Sequence, residues 1–273
     1  CSGIPLSTLD FQKDFTYKGG ETTQQVYQDA IGKLDSAFAL SADSLRIQNL
    51  ARIGLGRAYL DLGNYAAAAD DVSGVPTSYQ YQFLQAFWLS QKVINDSGFL
   101  VTASDREGEN GLPYLSGGDP RTADTVVFVN NFYTTNTNDS LAIVYPKVYR
   151  TAVNVPAYTP ANVTVASGIE ARLIEAEAHF AAGGSGSDWL SILNALRQAA
   201  PIPGTNQPQP SLLPPLSDPG TGSSNPDSAR IALIFHERAA WLYMTGNRQG
   251  DLRRQLREYP QYWPYESAVY PTG

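Results

Sequence analysis

The stretch Glu237-Arg238-Ala239-Ala240-Trp241-Leu242-Tyr243-Met244-Thr245-Gly246-Asn247-Arg248-Gln249-Gly250-Asp251-Leu252-Arg253-Arg254 sets charges at fixed intervals along an otherwise apolar run. On one continuous helix, Glu237, Trp241, Met244, Arg248 and Asp251 would share a narrow stripe. Solvated charges have no reason to share a stripe with Trp and Met. Charges placed there pair with one another or with backbone while their stems are covered. The stretch therefore predicts a helix-packing network that fixes the last helix against its neighbour. Each member of such a network needs several partners, because an unpaired buried charge is costly. A catalytic acid/base set is the competing reading.

Working back from this stretch, Ser228 starts the last long helix. Before it, residues 201–226 hold eight prolines with Gly and Ser, which neither a helix nor a central strand accepts. That segment reads as a Pro-rich loop. Helices are predicted over Ile169–Ala182 and Trp189–Ala199, with Gly183-Gly184-Ser185-Gly186-Ser187 turning between them; the second carries Asn194-x-x-Arg197. From Thr77 to Ser167 the pattern is irregular. It offers a helix near Gln82–Asn95 and short alternating runs at Thr125–Val129 and Ala142–Tyr145. Within it, Asp119-Pro120-Arg121 reads as a turn fixed by proline, its flanking charges capping or tying loop backbone.

The first part is helical. Thr22-Thr23-Gln24-Gln25 forms a capping box: Thr22 accepts from the third helical N–H and Gln25 reaches back. Val26, Ala30, Ile31, Leu34, Ala37 and Phe38 come next at helical spacing and are expected to form one buried face. A second helix runs from Leu45 to Leu62. Its second half and the residues just after it spell Leu55-Gly56-x-x-Tyr59-x-x-x-Gly63-x-Tyr65-x-x-Ala68, which resembles the tetratricopeptide pattern. Gly56 and Ala68 let two antiparallel helices approach, and Gly63-Asn64 turns between them.

Taken in order, Gly3-Ile4-Pro5-Leu6, the capped helix, the tetratricopeptide-like pair, Asp119-Pro120-Arg121, Asn194-x-x-Arg197 and the Glu237–Arg254 stretch resemble the SusD/RagB family. These are outer-membrane lipoproteins that bind nutrients for a TonB-dependent transporter. Trp241 and Thr245 stand where the family's signature often carries Glu. The resemblance implies a mainly α fold: tetratricopeptide-like helix pairs in an α/α superhelix, with long irregular loops and little sheet. It makes Asp119, Arg121, Asn194, Arg197, Glu237, Arg248 and Asp251 structural-motif residues. In the family the G-(I/V)-P-L segment lies well inside the protein. Val269-Tyr270-Pro271-Thr272-Gly273 also resembles an internal family segment, without the usual closing run. Residues 1–273 are thus expected to be a single SusD-like domain without the family's N-terminal portion and extreme C-terminus. Cys1 is then an internal cysteine; the alternative is the acylated first residue of a mature lipoprotein.

Composition narrows the function. A net charge of −7 and a pI near 4.8 argue against nucleic acid or an anionic membrane surface as partner. One cysteine excludes an internal disulfide and a cysteine-rich zinc site. His179 and His236 are the only histidines; His236, in an apolar helical run, reads as a core residue, and Glu175 with His179 as an exposed pair. The segment around Ser185 lacks the Gly spacing of a nucleophile elbow. Asp105-Arg106-Glu107-Gly108-Glu109 lacks the arrangement of a calcium loop. No cofactor and no catalytic residue is expected.

Aromatics are the route to ligand recognition. A sugar ring offers an apolar face and a rim of hydroxyls, so its binder needs exposed rings with uncharged polar neighbours. Tyr114, Tyr133, Tyr145 and Tyr158 lie in the irregular middle among Asn, Ser, Thr and Gly and are the candidate ligand contacts; Trp189 and Trp241, at helical positions, read as core. The resemblance implies a non-enzymatic cell-surface protein, lipid-anchored on the outer face of the bacterial outer membrane. It would deliver an oligosaccharide or other oligomeric nutrient to a SusC-like TonB-dependent transporter. The rival is a structural or protein-interaction scaffold built on the helix pairs and able to assemble with itself.

Overall fold

Thr22 opens the first helix with both halves of the box in place. Its hydroxyl accepts from the Gln25 N–H at 3.3 Å, and the Gln25 side chain accepts from the Thr22 N–H at 2.8 Å. The computed structural model describes residues 3–9, 15–84, 112, 117–122, 124–130, 140–146, 162–183, 188–199, 213–243 and 245–260. Among these, seven helices carry the fold, packed in sequence order with little sheet. The chain forms two compact units, Cys1–Tyr79 with Ala166–Leu193, and Gln80–Val165 with Asn194–Gly273.

In the first unit, β1 (Ile4–Pro5) pairs antiparallel with β4 (Gly20–Glu21), and β2 (Thr8–Leu9) with β3 (Phe15–Thr16). Helices α1 (Thr23–Leu40), α2 (Leu45–Asp61) and α3 (Tyr65–Ser73) come next in the chain, each packed on its successor; α4 (Gly168–Ala181) packs on α3 and α2. The α1 face of Val26, Ala30, Ile31, Leu34, Ala37 and Phe38, expected to be buried, is half-buried. Side chains of Ser44, Asn64 and Ser167 accept from the first turns of α2, α3 and α4, which stops each helix from starting earlier. Gly63 turns the chain at φ +71 between α2 and α3. Gly56 is where the pair touches: a Cβ there would lie inside Val72 Cγ1 and 3.5 Å from the Ala68 carbonyl.

The core of this unit is α4. Leu173 and Ile174 are fully enclosed together with Ile53, Leu60 and Val72. Each such aliphatic side chain contributes about 1.5–3 kcal/mol by leaving water. Two charges, buried Glu170 and half-buried Arg172, are matched within the unit. Glu170 is taken by the Arg57 guanidinium, and Arg172 Nη2 donates to the Val72 and Val75 carbonyls at 2.8 and 3.1 Å, capping the end of α3. Glu175, expected to be exposed beside His179, is instead buried and pairs with Arg172 at 3.2 Å, while His179 is exposed.

In the second unit, β5 (Gln80–Leu84) pairs with β8 (Asn162–Ser167), whose last two residues count with the first unit. Strand therefore occupies Gln82–Leu84, where a helix was expected to begin; the remainder of that expected helix lies outside the described residues. A 3-10 turn at Pro120–Thr122 leads into β6 (Asp124–Asn130), which pairs antiparallel with β7 (Ser140–Pro146). α5 (Asp188–Gln198) reaches this unit from Asn194 onward, and α6 (Pro226–Trp241) and α7 (Arg248–Glu258) complete it. Pro226 occupies the first turn of α6, where its missing N–H costs nothing, so the helix starts two residues before Ser228.

The 237–254 stretch is not one helix. α6 ends at Trp241, Gly246 takes φ +83, and α7 restarts at Arg248. The single stripe is therefore replaced by charges that meet across a turn. His236 is exposed, contrary to a core placement: Ile231, Ile234, Phe235 and Arg238 form the buried side, and Ala232 and His236, four apart, face water.

Candidate functional site

Glu237 lies on the buried side of α6 at 1% exposure and receives four hydrogen bonds. Arg121 donates Nη1 to Oε2 at 2.6 Å and Nη2 to Oε1 at 3.0 Å. Arg197 donates Nη1 to Oε1 at 2.7 Å, and Trp241 donates Nε1 to Oε2 at 3.2 Å. An ionised carboxylate offers about four acceptor directions, and all are used. All four donors come from the protein's own side chains, Arg121, Arg197 and Trp241.

Arg121 is held on its other edge by Asp119. Oδ2 of Asp119 accepts from Nη2 at 2.6 Å, and Oδ1 accepts from the Arg121 backbone N–H at 2.9 Å and from Nε at 3.0 Å. The guanidinium lies 4.9 Å from the Trp241 ring centroid, a cation–π placement. Burial alone would push the Asp119 carboxyl upward; the hydrogen bonds and charge of Arg121, with a smaller contribution from His236, hold it below the usual carboxylate range. Two carboxylates, Asp119 and Glu237, face two guanidiniums, Arg121 and Arg197, so the group is neutral as a whole. Trp241 thus supplies a donor and a ring at a position where the resembled signature often has Glu.

A second group sits across the Gly246 turn. Asp251, 3% exposed, accepts from Arg238 Nε at 3.1 Å and Nη2 at 2.9 Å, and from Arg254 Nη2 at 2.9 Å. Burial raises its carboxyl, but the two guanidiniums outweigh that and leave it below the usual range. Arg254 also covers the Phe235 ring at 5.4 Å, and Phe235 meets Tyr259 edge-on at 5.8 Å. Arg248 opens α7 in a half-buried position.

The polar side of α5 holds the end of the Pro-rich segment. Asn194 donates to the Leu216 carbonyl at 3.0 Å and accepts from the Leu216 N–H at 2.6 Å. Arg197 donates Nε to the Pro214 carbonyl at 2.7 Å, and the Leu213 N–H reaches the Arg197 carbonyl at 3.0 Å. Proline leaves carbonyls without a neighbouring N–H to answer them, so side-chain donors at helical spacing take that place. Arg230 then grips Asp218, at 2.9 Å from Nε to Oδ1 and 2.7 Å from Nη2 to Oδ2. The Asp218–Arg230 and Arg57–Glu170 pairs were not singled out from sequence; neither has a local spacing that marks it, since the partners come from separate elements.

Of the candidate ligand contacts, Tyr145 lies on β7 opposite Thr125 on β6. Tyr114, Tyr133 and Tyr158 lie outside the described residues. Tyr17, in the segment after β3, is the most exposed described aromatic and stacks on Phe15 at 5.9 Å; nothing in its sequence surroundings distinguished it. Among the described residues no three His, Cys, Asp or Glu side chains gather to hold a metal ion.

No protein-family model and no curated protein matches the chain. Among solved structures it is similar to a SusD-like protein from Bacteroides fragilis, with a TM-score of 0.55 and 15% sequence identity. The alignment covers 95% of this chain and 66% of that one, so this chain spans just under two thirds of that protein's length. At this identity the likeness concerns the fold, and the fold of this chain is SusD-like.

Proposed function

We propose that the protein binds a neutral oligomeric nutrient, an oligosaccharide foremost, at the bacterial cell surface and passes it unchanged to a SusC-like TonB-dependent transporter. The observation that carries this reading is the SusD-like fold along 95% of the chain. The charged motifs support it: the Glu237 and Asp251 carboxylates are spent on guanidiniums and serve as scaffold. Attachment is through a lipid on the outer face of the outer membrane; among the described residues no helix is long and apolar enough to cross one.

Ligand contact falls to Tyr114, Tyr133, Tyr145 and Tyr158, whose rings match sugar faces and whose neighbours supply hydrogen bonds without charge. The net charge of −7 disfavours acidic glycans at long range. The test is calorimetry against a panel of neutral and acidic oligosaccharides, with wild type and single Tyr→Ala variants. Loss of a stacking ring should weaken binding by about 1–3 kcal/mol while leaving the fold intact. Failure of every glycan to bind at millimolar concentration defeats the assignment.

A protein-interaction scaffold is the second reading, favoured by Leu40 and Leu45, 88% and 74% exposed at the α1–α2 turn. Sedimentation velocity separates the two, since a self-assembling scaffold changes mass with concentration and a monomeric glycan binder does not.

A further inference from the structure

The Asp119–Arg121–Glu237 group, with Arg121 and Glu237 buried, stands at the root of the β6–β7 hairpin. The 3-10 turn that carries Arg121 ends at Thr122, and β6 begins at Asp124, just past the single residue between them. The turn packs against α6, whereas among the described elements β6 and β7 pack chiefly on each other. A two-stranded ribbon is marginal by itself and takes its direction from its attachment. The register Asp124↔Pro146, Thr125↔Tyr145 puts Tyr145 one step from that attachment.

We infer that Arg121 is a positioning residue for ligand contact. By locking the turn onto Glu237 it sets where the hairpin root, and with it Tyr145, is presented. The inference rests on the reading of Tyr145 as a ligand contact, and it adds the group that places it. Arg121 suits the task because its fork is held on two edges, by Asp119 and Glu237, and on one face by Trp241, which leaves it a single arrangement. Lysine would keep the charge and lose the fork.

The experiment places a fluorotyrosine at position 145 alone and follows its fluorine signal without ligand, alongside calorimetry with a neutral oligosaccharide. Three variants are compared. Arg121→Lys breaks the fork. Asp119→Asn, at a half-exposed edge, is the milder change should Arg121→Lys fail to fold. Asp251→Asn removes a charge from the other buried group in the same unit and controls for lost stability. The expected result is a moved or broadened position-145 signal and about tenfold weaker binding in the Arg121 or Asp119 variant, with neither effect in Asp251→Asn. An unmoved signal, or one that moves equally in Asp251→Asn, overturns the positioning role whatever the affinity. A wild type that binds no oligosaccharide overturns the ligand reading instead, and the signal still decides whether Arg121 sets the hairpin root.

Discussion

Glu237 and Arg121 lie 116 positions apart and meet through two parallel hydrogen bonds of 2.6 and 3.0 Å, with both side chains nearly closed to solvent. A pair of this kind is costly to break and inexpensive to replace. Glu237→Gln leaves two guanidiniums facing a neutral amide and should destabilise the fold by about 3–5 kcal/mol in urea titrations. Replacing Glu237, Arg121, Arg197 and Asp119 together with apolar residues of similar volume should cost less than Glu237→Gln alone. A quadruple variant weaker than the single would contradict this.

Asp251 should make the protein acid-sensitive in a defined window. Its folded carboxyl lies below the ordinary range because Arg238 and Arg254 outweigh its burial. The stability it supplies is complete above the unfolded pKa, about 4, and is lost as pH falls through the lower folded value. Asp251→Asn should therefore be less stable than wild type at neutral pH by about 3 kcal/mol. The gap should narrow as the titration moves below about pH 4. A gap independent of pH would show that the carboxylate charge is not what matters.

Glu175 has the opposite sign. Burial raises its carboxyl, and the charges of Arg172 and His179 recover only part of that. Its contribution is most favourable below the unfolded pKa and declines as pH rises through the raised folded value. Glu175→Gln should thus gain up to about 1 kcal/mol on wild type at neutral pH and lose that advantage in acid. Arg172 keeps its carbonyl partners at Val72 and Val75 in the variant, which limits the loss of the ion pair. Urea titrations of the two proteins at neutral and acid pH check the sign.

Local chemistry was legible where it is written in adjacent residues. The Thr22–Gln25 box and the Gly63-Asn64 turn each come from residues within one helical turn, and the close approach at Gly56 from the small residues of two helices joined by that short turn. The break at Gly246 was obscured because Glu237, Met244 and Asp251 are seven apart, a spacing that continues a helical stripe whether or not the helix continues. Thr245-Gly246-Asn247 was the available signal for a turn. Convergence of Asp119, Arg121, Arg197 and Glu237 on one cluster could not be read from periodicity, which reports faces and not which faces meet. His236 was misplaced because the apolar run just before it, Ile231 to Phe235, hid its four-residue spacing from Ala232.

Two glycines should respond in opposite ways to alanine. Around Gly32, inside α1, a Cβ would find nothing within 4 Å, so Gly32→Ala should stabilise by about 0.5–1 kcal/mol through helix propensity. At Gly168 a Cβ would strike the Pro76 carbonyl and lie 2.6 Å from Thr77 Cα, and backbone cannot rotate aside. The Gly168 N–H also donates to the Tyr79 carbonyl at 2.8 Å, so the position cannot drift without losing that bond. Gly168→Ala should cost about 1–3 kcal/mol or more. Thermal melts of the two variants moving in the same direction would refute the packing argument.

Asn194 should control the end of the Pro-rich segment locally. Its amide exchanges two hydrogen bonds with the backbone of Leu216, at 3.0 and 2.6 Å, as a neighbouring strand would. The Leu213 N–H is answered by the backbone carbonyl of Arg197 and depends on no side chain. Asn194→Ala should therefore release the Leu216 amide, raising its exchange by the roughly 1–2 kcal/mol that a lost protein hydrogen bond contributes. The Leu213 amide, three residues away, should keep most of its protection because its acceptor is untouched. Equal acceleration at both amides would mean that the segment opens as a unit once the Asn194 side chain is lost, and would refute local control.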